Sequence, residues 1–348
     1  MMKVKIHYRD GKTEVRPILK RGEAMGTCAT FSKKYICCHV HVLRSVHNCP
    51  FECSYCFLQN YMNNGATRTV ADVPALMDEV KEKINAGPWR LFRIGTWELG
   101  DSLALEYETG QAAKLIREFA TLKNAVLELK TKSGCVDTIL NIDHGGKTVV
   151  SWSLNTSHII KTEEHRTASL EERLEAMHKA ADAGYLIGLH FDPMVFHKGW
   201  EEGYGTLVDR VFEAVTPASV AWISMGSLRF NPEMKKKMEN NYPGNRLTCA
   251  EMVLGDDAKM RYVKPLRVGM YKFLYGLLRG KVPGENLIYL CMERWDVWDK
   301  VFGYHPGSIG HLDYLFARSL HERFGLGEGP PQRELYERGW AAHCSLTF

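Results

Sequence analysis

No stretch of this 348-residue chain approaches the roughly 18 uninterrupted apolar residues that a membrane-spanning helix needs. The opening Met1-Met2-Lys3-Val4-Lys5 lacks the apolar block of a signal peptide, so a cytoplasmic protein with no membrane partner is expected. Internal repeats, low-complexity tracts and long linkers are also missing, which sets aside solenoid, fibrous and disordered classes. A strong excess of one charge is absent too. The formal net charge is only +4, too small a surplus to imply nucleic acid by itself. Its distribution says more: residues 226–281 hold 12 Lys/Arg against 5 Asp/Glu, so the positive charge gathers in the C-terminal third.

What is present is an ordinary globular composition, 45% apolar and 25% charged, long enough for one large domain or two ordinary ones without disulfides. Short β-branched or aromatic runs recur at Leu91 to Thr96, Val126 to Thr131, Val149 to Leu154, Leu186 to Phe191, Val220 to Met225 and Leu287 to Cys291. They read as buried parallel strands. Between them, Pro74 to Asn85, Gly110 to Lys123, Leu170 to Ala183 and Thr206 to Val215 carry apolar residues at helical spacing. Ser169 with Glu172 forms a capping box, and Gly184 marks the following stop. Strand and helix in alternation predict a (β/α) barrel or a doubly wound sheet. Residues 1–38 read as an N-terminal extension, 39–225 as the barrel, and 226–348 as a C-terminal region completing the substrate side.

Ten cysteines in a reducing compartment point to metal binding, catalysis or burial. Cys49, Cys53 and Cys56 form a C-x3-C-x2-C triplet with Tyr55 before the last cysteine and Phe57 after it. A 4Fe-4S cluster has four iron corners. Three thiolates leave one corner open to a small molecule. The alternative is zinc, held by the triplet with His39, His41 or His47. Cys37 and Cys38 are adjacent and read as structural; Cys28, Cys135, Cys249, Cys291 and Cys344 stand singly and read as core residues.

The triplet followed by an aromatic resembles the radical S-adenosylmethionine superfamily. A fuller resemblance, over roughly residues 35–300, is to the spore photoproduct lyase family. It rests on Cys49-Pro-Phe-Glu-Cys-Ser-Tyr-Cys-Phe-Leu-Gln59, Lys130-Thr-Lys132, Ser151-Trp-Ser-Leu-Asn155, Ser169-Leu-Glu-Glu-Arg-Leu-Glu-Ala176, Gly188-Leu-His-Phe-Asp-Pro193 and Gly199-Trp-Glu-Glu-Gly-Tyr204. The resemblance implies an α/β fold, a partial (β/α)6 barrel of TIM type with a C-terminal appendage. It implies a 4Fe-4S cluster on Cys49, Cys53 and Cys56, and S-adenosylmethionine beside it. Glu98 would accept from the cofactor's amino group, and Lys132 would pair with its carboxylate. Ser153 and Asn155 would touch carboxylate or ribose, and Asp192 lies at the fifth strand end. Arg229 would lie near a DNA lesion. A one-electron donor such as flavodoxin or ferredoxin is implied as a partner.

The match fails at two points. The family quenches its substrate radical with a cysteine after the second strand and relays hydrogen through a tyrosine after the third cluster cysteine. Here those places read Ile94-Gly-Thr-Trp-Glu98 and Phe57. Cys291, at a strand end, is the substitute hydrogen donor to consider. Three functions therefore compete: a radical enzyme on damaged DNA, with Lys235, Lys236, Lys237, Arg261, Lys264 and Arg267 meeting phosphates and Tyr262, Tyr271 and Tyr275 beside them; a radical enzyme on another small molecule or nucleotide; and a non-catalytic Fe-S or zinc protein. The oligomeric state is open at this stage.

Overall fold

A computed structural model of the chain describes residues 2–7, 12–19, 24–28, 34–61 and 66–344. Seven strands lie side by side in chain order: β1 (His41–Leu43), β2 (Phe92–Gly95), β3 (Ala125–Thr131), β4 (Thr148–Ser153), β5 (Leu186–Met194), β6 (Val220–Ser227) and β7 (Leu287–Leu290). Each runs parallel to the next. An eighth strand, Met25–Thr27, adds antiparallel to β1. The sheet stays open between β7 and Met25–Thr27, which is the expected partial barrel of TIM type with one further parallel strand from the C-terminal region. Buried β4 and β6 show why the sequence reads as continuous apolar runs: every residue in both is buried, as parallel strands covered on both faces require. β1 escaped the sequence pattern because three residues are too few to show a period.

The helices sit where the 3.6-residue spacing put them, with sharp chemical ends. α1 (Val73–Asn85) starts at Asp72, whose carboxylate accepts from the Ala75 N–H at 3.2 Å. α2 (Gln111–Ala120) follows Gly110 in the left-handed conformation. In α3 (Leu170–Asp182) the Ser169/Glu172 capping box is fully formed, and Gly184 at φ +87° turns the chain out. α4 (Trp200–Ala214) begins six residues before the apolar pattern predicts, at Trp200 against Thr206. Gly203 and Gly205 dilute the pattern, while Glu201 and Glu202 in the first turn favour the helix N-terminus.

The N-terminal extension does not stand alone. Its strands Met2–His7 and Thr13–Leu19 form a four-stranded sheet with Thr67–Val70 and Val46–His47, which lie within the barrel segment. After β6 come α5 (Pro232–Asn241) and α6 (Ile309–Phe324) among other helices. Phe316 of α6 packs against Trp222 and Tyr289 at ring distances of 5.7 and 4.9 Å, with Arg93 over its ring. The two ends of the open sheet are bridged by a short ladder, Tyr35–Ile36 against Glu293–Arg294. Glu293 is fully buried there and accepts from Arg267 and Tyr271, both at 3.0 Å. Replacing Ser169 by alanine removes one arm of the capping box, and a loss of about 1 kcal/mol is expected in urea unfolding.

Candidate active site

The cysteine triplet is held by its backbone and its neighbours, which leaves the sulfurs free of structural duty. Asn48 takes a left-handed conformation at φ +67°, one that Asn tolerates better than most residues. Gly100 presses close from the β2 loop; a Cβ there would meet the Asn48 carbonyl at 2.6 Å. Glu52–Cys53 pairs as a two-residue strand with Glu164–His165. Ser54 and Tyr55 donate their hydroxyls to Glu163 and Glu164. The Gln59 amide donates to the carbonyls of Cys53 and Ser54 at 3.2 and 2.9 Å.

The donor set fits a cluster. Cys49, Cys53 and Cys56 are free thiols, and burial raises the pKa of each, with the Lys132 ammonium working in the opposite direction at Cys53 and Cys56. Iron would replace the proton that burial retains on each thiol. Among the described residues no three His, Cys, Asp or Glu side chains gather tightly enough to hold a single metal ion. A four-iron cube asks for something else, since each thiolate takes its own corner. The zinc alternative needs convergence with a histidine, whereas His41 and His39 pack on each other and His41 on Phe92.

Around this loop stand the C-terminal ends of the strands. Glu98, after β2, is half-buried; burial raises its pKa, while Arg44 and a hydrogen bond with Cys28 oppose the rise. Lys132, after β3, lies over the Tyr55 ring at 5.6 Å, and Glu164 keeps it charged against burial. Asp101, which the sequence reading missed, ties these two ends together. Its buried carboxylate accepts from Thr131 Oγ1 at 2.6 Å and from the backbone N–H of Lys132, Leu103 and Ala104. Ser153 is buried at the end of β4. Asn155 has its amide engaged by protein, donating to the Pro193 carbonyl at 2.9 Å and accepting from Tyr204 at 2.8 Å.

Asp192, Arg229 and Cys291 come together. Arg229 donates twice to Asp192, at 2.9 and 3.1 Å, and lies 3.5 Å from the Cys291 sulfur. It is therefore no ordinary surface arginine. Arg229 holds Asp192 well below the usual carboxylate range against burial. Cys291 in turn contacts Cys38, and that hydrogen bond together with burial keeps the Cys291 thiol protonated.

Deeper in the barrel lies a polar cage that the sequence reading did not find. Glu128 of β3, 2% exposed, accepts from Trp97 Nε1 at 2.9 Å and Ser151 Oγ at 2.9 Å, and pairs with His190 Nε2 at 2.8 Å. Glycines make room for it: a Cβ at Gly188 would lie 2.0 Å from Ser151 Oγ, and one at Gly95 would lie 2.4 Å from Trp97 Nε1. The available signal was a glutamate between Leu127 and Leu129, inside an otherwise apolar strand run. The same structure corrects two expectations. Arg261 and Arg267 are buried and bound to Asp257 and Glu293, Lys264 pairs with Asp296, and Tyr262 and Tyr271 are fully buried, so half the basic residues named for phosphate contact serve internal pairs. Cys249 is exposed rather than in the core, because the short turn Leu247–Cys249 buries its first two residues and turns the third outward. The side chain of Cys344 lies outside the described residues.

The family model described as spore photoproduct lyase matches residues 42–281. The chain belongs to the spore photoproduct lyase family. It is 31% identical over 231 residues to the spore photoproduct lyase of Bacillus subtilis (strain 168), and 26% identical over 230 residues to that of Geobacillus sp. (strain Y412MC61). In both cases the match spans 65% of this chain and 65% of the relative's length. Among solved structures, a spore photoproduct lyase complexed with dinucleoside spore photoproduct superposes with a TM-score of 0.66 at 24% identity, covering 72% of this chain and 76% of that one. A variant with one cysteine replaced by alanine, bound to the same dinucleoside, gives 0.67 at 25% identity with the same coverage. The fold of this family member is thus the fold of those enzymes. No helix of its described residues is long and apolar enough to cross a membrane.

The cage sets an acid limit on stability. Burial opposes the Glu128 charge, but His190, Lys130 and Ser151 together hold its pKa at about 2, below the usual 4.5. Burial lowers His190 below 6.5. Both folded-state values lie below the unfolded ones, so both groups contribute stability that is lost as the pH falls. The urea midpoint is expected to drop on acidification, and the part of the drop between pH 4.5 and about 2 is expected to shrink in Glu128→Gln. An equal drop in the variant would assign the titration elsewhere.

Proposed function

We propose that this family member is a radical S-adenosylmethionine enzyme acting on the thymine lesion spore photoproduct in DNA. The observation that carries the reading is the loop of Cys49, Cys53 and Cys56, with Cys53 buried and the other two partly so, and Lys132 beside it, at the C-terminal ends of a partial barrel. When bound, the 4Fe-4S cluster and S-adenosylmethionine supply a 5'-deoxyadenosyl radical by one-electron cleavage of the sulfonium. The chain's own residues bind and orient. Glu98 accepts from the cofactor's amino group, Lys132 meets its carboxylate, and Ser153 borders the pocket. Asn155 acts by fixing the backbone around Pro193. Asp192 orients Arg229, which meets the substrate.

Cys291 is the hydrogen donor in this reading. Its thiol is kept protonated beside Arg229, as donation of a hydrogen atom requires. Giving that atom to a carbon radical leaves the sulfur one hydrogen short. Cys38 can refill it, and an electron from a flavodoxin or ferredoxin with a proton from solvent restores the pair. The three segments then divide the work as the sequence suggests, with 226–348 completing the substrate side. Lys235 and Lys236 are exposed on α5, and α5 leans on the cysteine loop through Lys237 and Asn241, which donate to Gln59 at 3.3 and 3.1 Å. This supports phosphate contact at the mouth of the site. The internal pairing of Arg261, Lys264 and Arg267 favours a second reading, a smaller nucleotide substrate that needs fewer phosphate contacts.

Anaerobic reconstitution with iron and sulfide, then dithionite and S-adenosylmethionine, tests the reading through 5'-deoxyadenosine formation with and without a spore-photoproduct dinucleotide. Cleavage that depends on the three cysteines, with conversion of the dinucleotide lesion to two intact thymine residues, is expected. Cys291→Ala should keep the cleavage and lose the restored dinucleotide. Cleavage without dinucleotide conversion would move the substrate to another nucleotide, and no cleavage from a loaded cluster would leave a non-catalytic binding protein. Binding to DNA duplexes should weaken with salt, and Lys235→Glu with Lys236→Glu should lower the log–log salt slope by about 1 per lysine; an unchanged slope would remove α5 from the interface.

A further inference from the structure

A cavity of about 160 Å³ opens at the N-terminal end of β2, away from the strand ends that carry Glu98 and Lys132. His41 forms part of its wall and is only 3% exposed. Among the described residues, neither ring nitrogen of His41 has a hydrogen-bond partner. Burial, with Arg90, His39 and Lys83 nearby, holds its pKa well below 6.5, so the ring is neutral and offers one N–H and one lone pair. A buried imidazole without partners destabilises the fold unless something in the cavity satisfies it.

Three further donors converge on the same space. Arg90 lies over the Phe92 ring at 5.2 Å, and its buried Nε also has no partner among the described residues. Arg90 pairs with Asp313 at 2.7 Å, a carboxylate that also lines the cavity and is shared with Arg93 at 3.4 Å, so the cations of the wall outnumber its one described carboxylate. Lys83, in the last turn of α1, lines the wall as a second cation. Ile309 and Gly310, the first two residues of the 16-residue helix α6, line it as well. The third N–H of that turn is taken by the Ser308 hydroxyl at 2.9 Å, which leaves the first two aimed outward at the positive end of the helix dipole.

We infer that this cavity binds a phosphate monoester, with its dianionic head between Lys83, Arg90, His41 and the first turn of α6. Donors arriving from four different elements suit three terminal oxygens on one tetrahedral centre better than a flat carboxylate. Trp89 and Tyr336, in edge contact at 5.3 Å, line the same cavity and give the organic part an aromatic wall. The site is separate from the cysteine loop and stands whatever reaction that loop supports.

Isothermal titration of the full chain with inorganic phosphate, phenyl phosphate and thymidine 5'-monophosphate tests it. One-to-one binding of phenyl phosphate is expected, weakened about tenfold or more in Lys83→Met and in His41→Phe, since each removes a hydrogen bond to a charged group. Lys83 is partly exposed, so Lys83→Met keeps the fold and leaves the test valid even if His41→Phe does not. Tighter binding of thymidine monophosphate than of phenyl phosphate would assign the site to nucleotides, and the reverse to other phosphate esters; either supports the inference. Absence of saturable binding, or equal affinity in Lys83→Met, overturns it.

Discussion

The guanidinium of Arg173 holds the site together. Its side chain is completely buried, and it donates to the Glu164 carboxylate at 2.6 Å, to the carbonyls of Ser153 and Ala168 at 2.9 and 3.0 Å, and to Thr167 at 2.7 Å. Glu164 also accepts from Tyr55, inside the cysteine triplet. One charge thus ties together the end of β4, the start of α3 and the loop that presents the thiols. Burying a charged pair is favourable only when additional hydrogen bonds satisfy its remaining donors, and here two carbonyls and a hydroxyl do so beside the Glu164 carboxylate. The reward is geometric: three sulfurs on a short loop keep their relation to the strand ends although the loop has little regular structure.

A second constraint is space inside the sheet. The cage of Glu128, Trp97, Ser151 and His190 occupies the barrel where closed barrels pack branched aliphatic side chains. Room comes from glycine at Gly95 and Gly188, and above them from Gly226, where a Cβ would press on the Asp192 carboxylate. Asp192 and Arg229 thereby meet directly over the cage. Polarity in the interior and charge at the mouth form one continuous column.

Much of this was legible in the sequence because it follows from local rules. The parallel strands announced themselves as apolar runs, α3 by its capping box and Gly184, and the candidate site by the spacing of its three cysteines. The side chains that lock the site were not legible. Arg173, Glu164 and Asp101 look like solvated charges on a helix or loop, and only the fold brings them to carbonyls distant in the chain. The basic stretch misled for the same reason: Glu293, far from the run of lysines and arginines, draws Arg261 and Arg267 inward. Charge counts see sign and position, whereas burial depends on partners elsewhere.

The ladder between Tyr35–Ile36 and Glu293–Arg294 gives the molecule a closure that its hydrogen-bonded sheet lacks. In backbone pairing the barrel is a ribbon with two edges; in contacts it is a ring, clasped by four residues and the guanidinium of Arg261 lying over the Tyr35 ring at 4.7 Å. The clasp is two residue pairs wide, the same width as the ladder that joins β1 to β2, so the continuity of the ring on either side of the cysteine loop rests on short pairings.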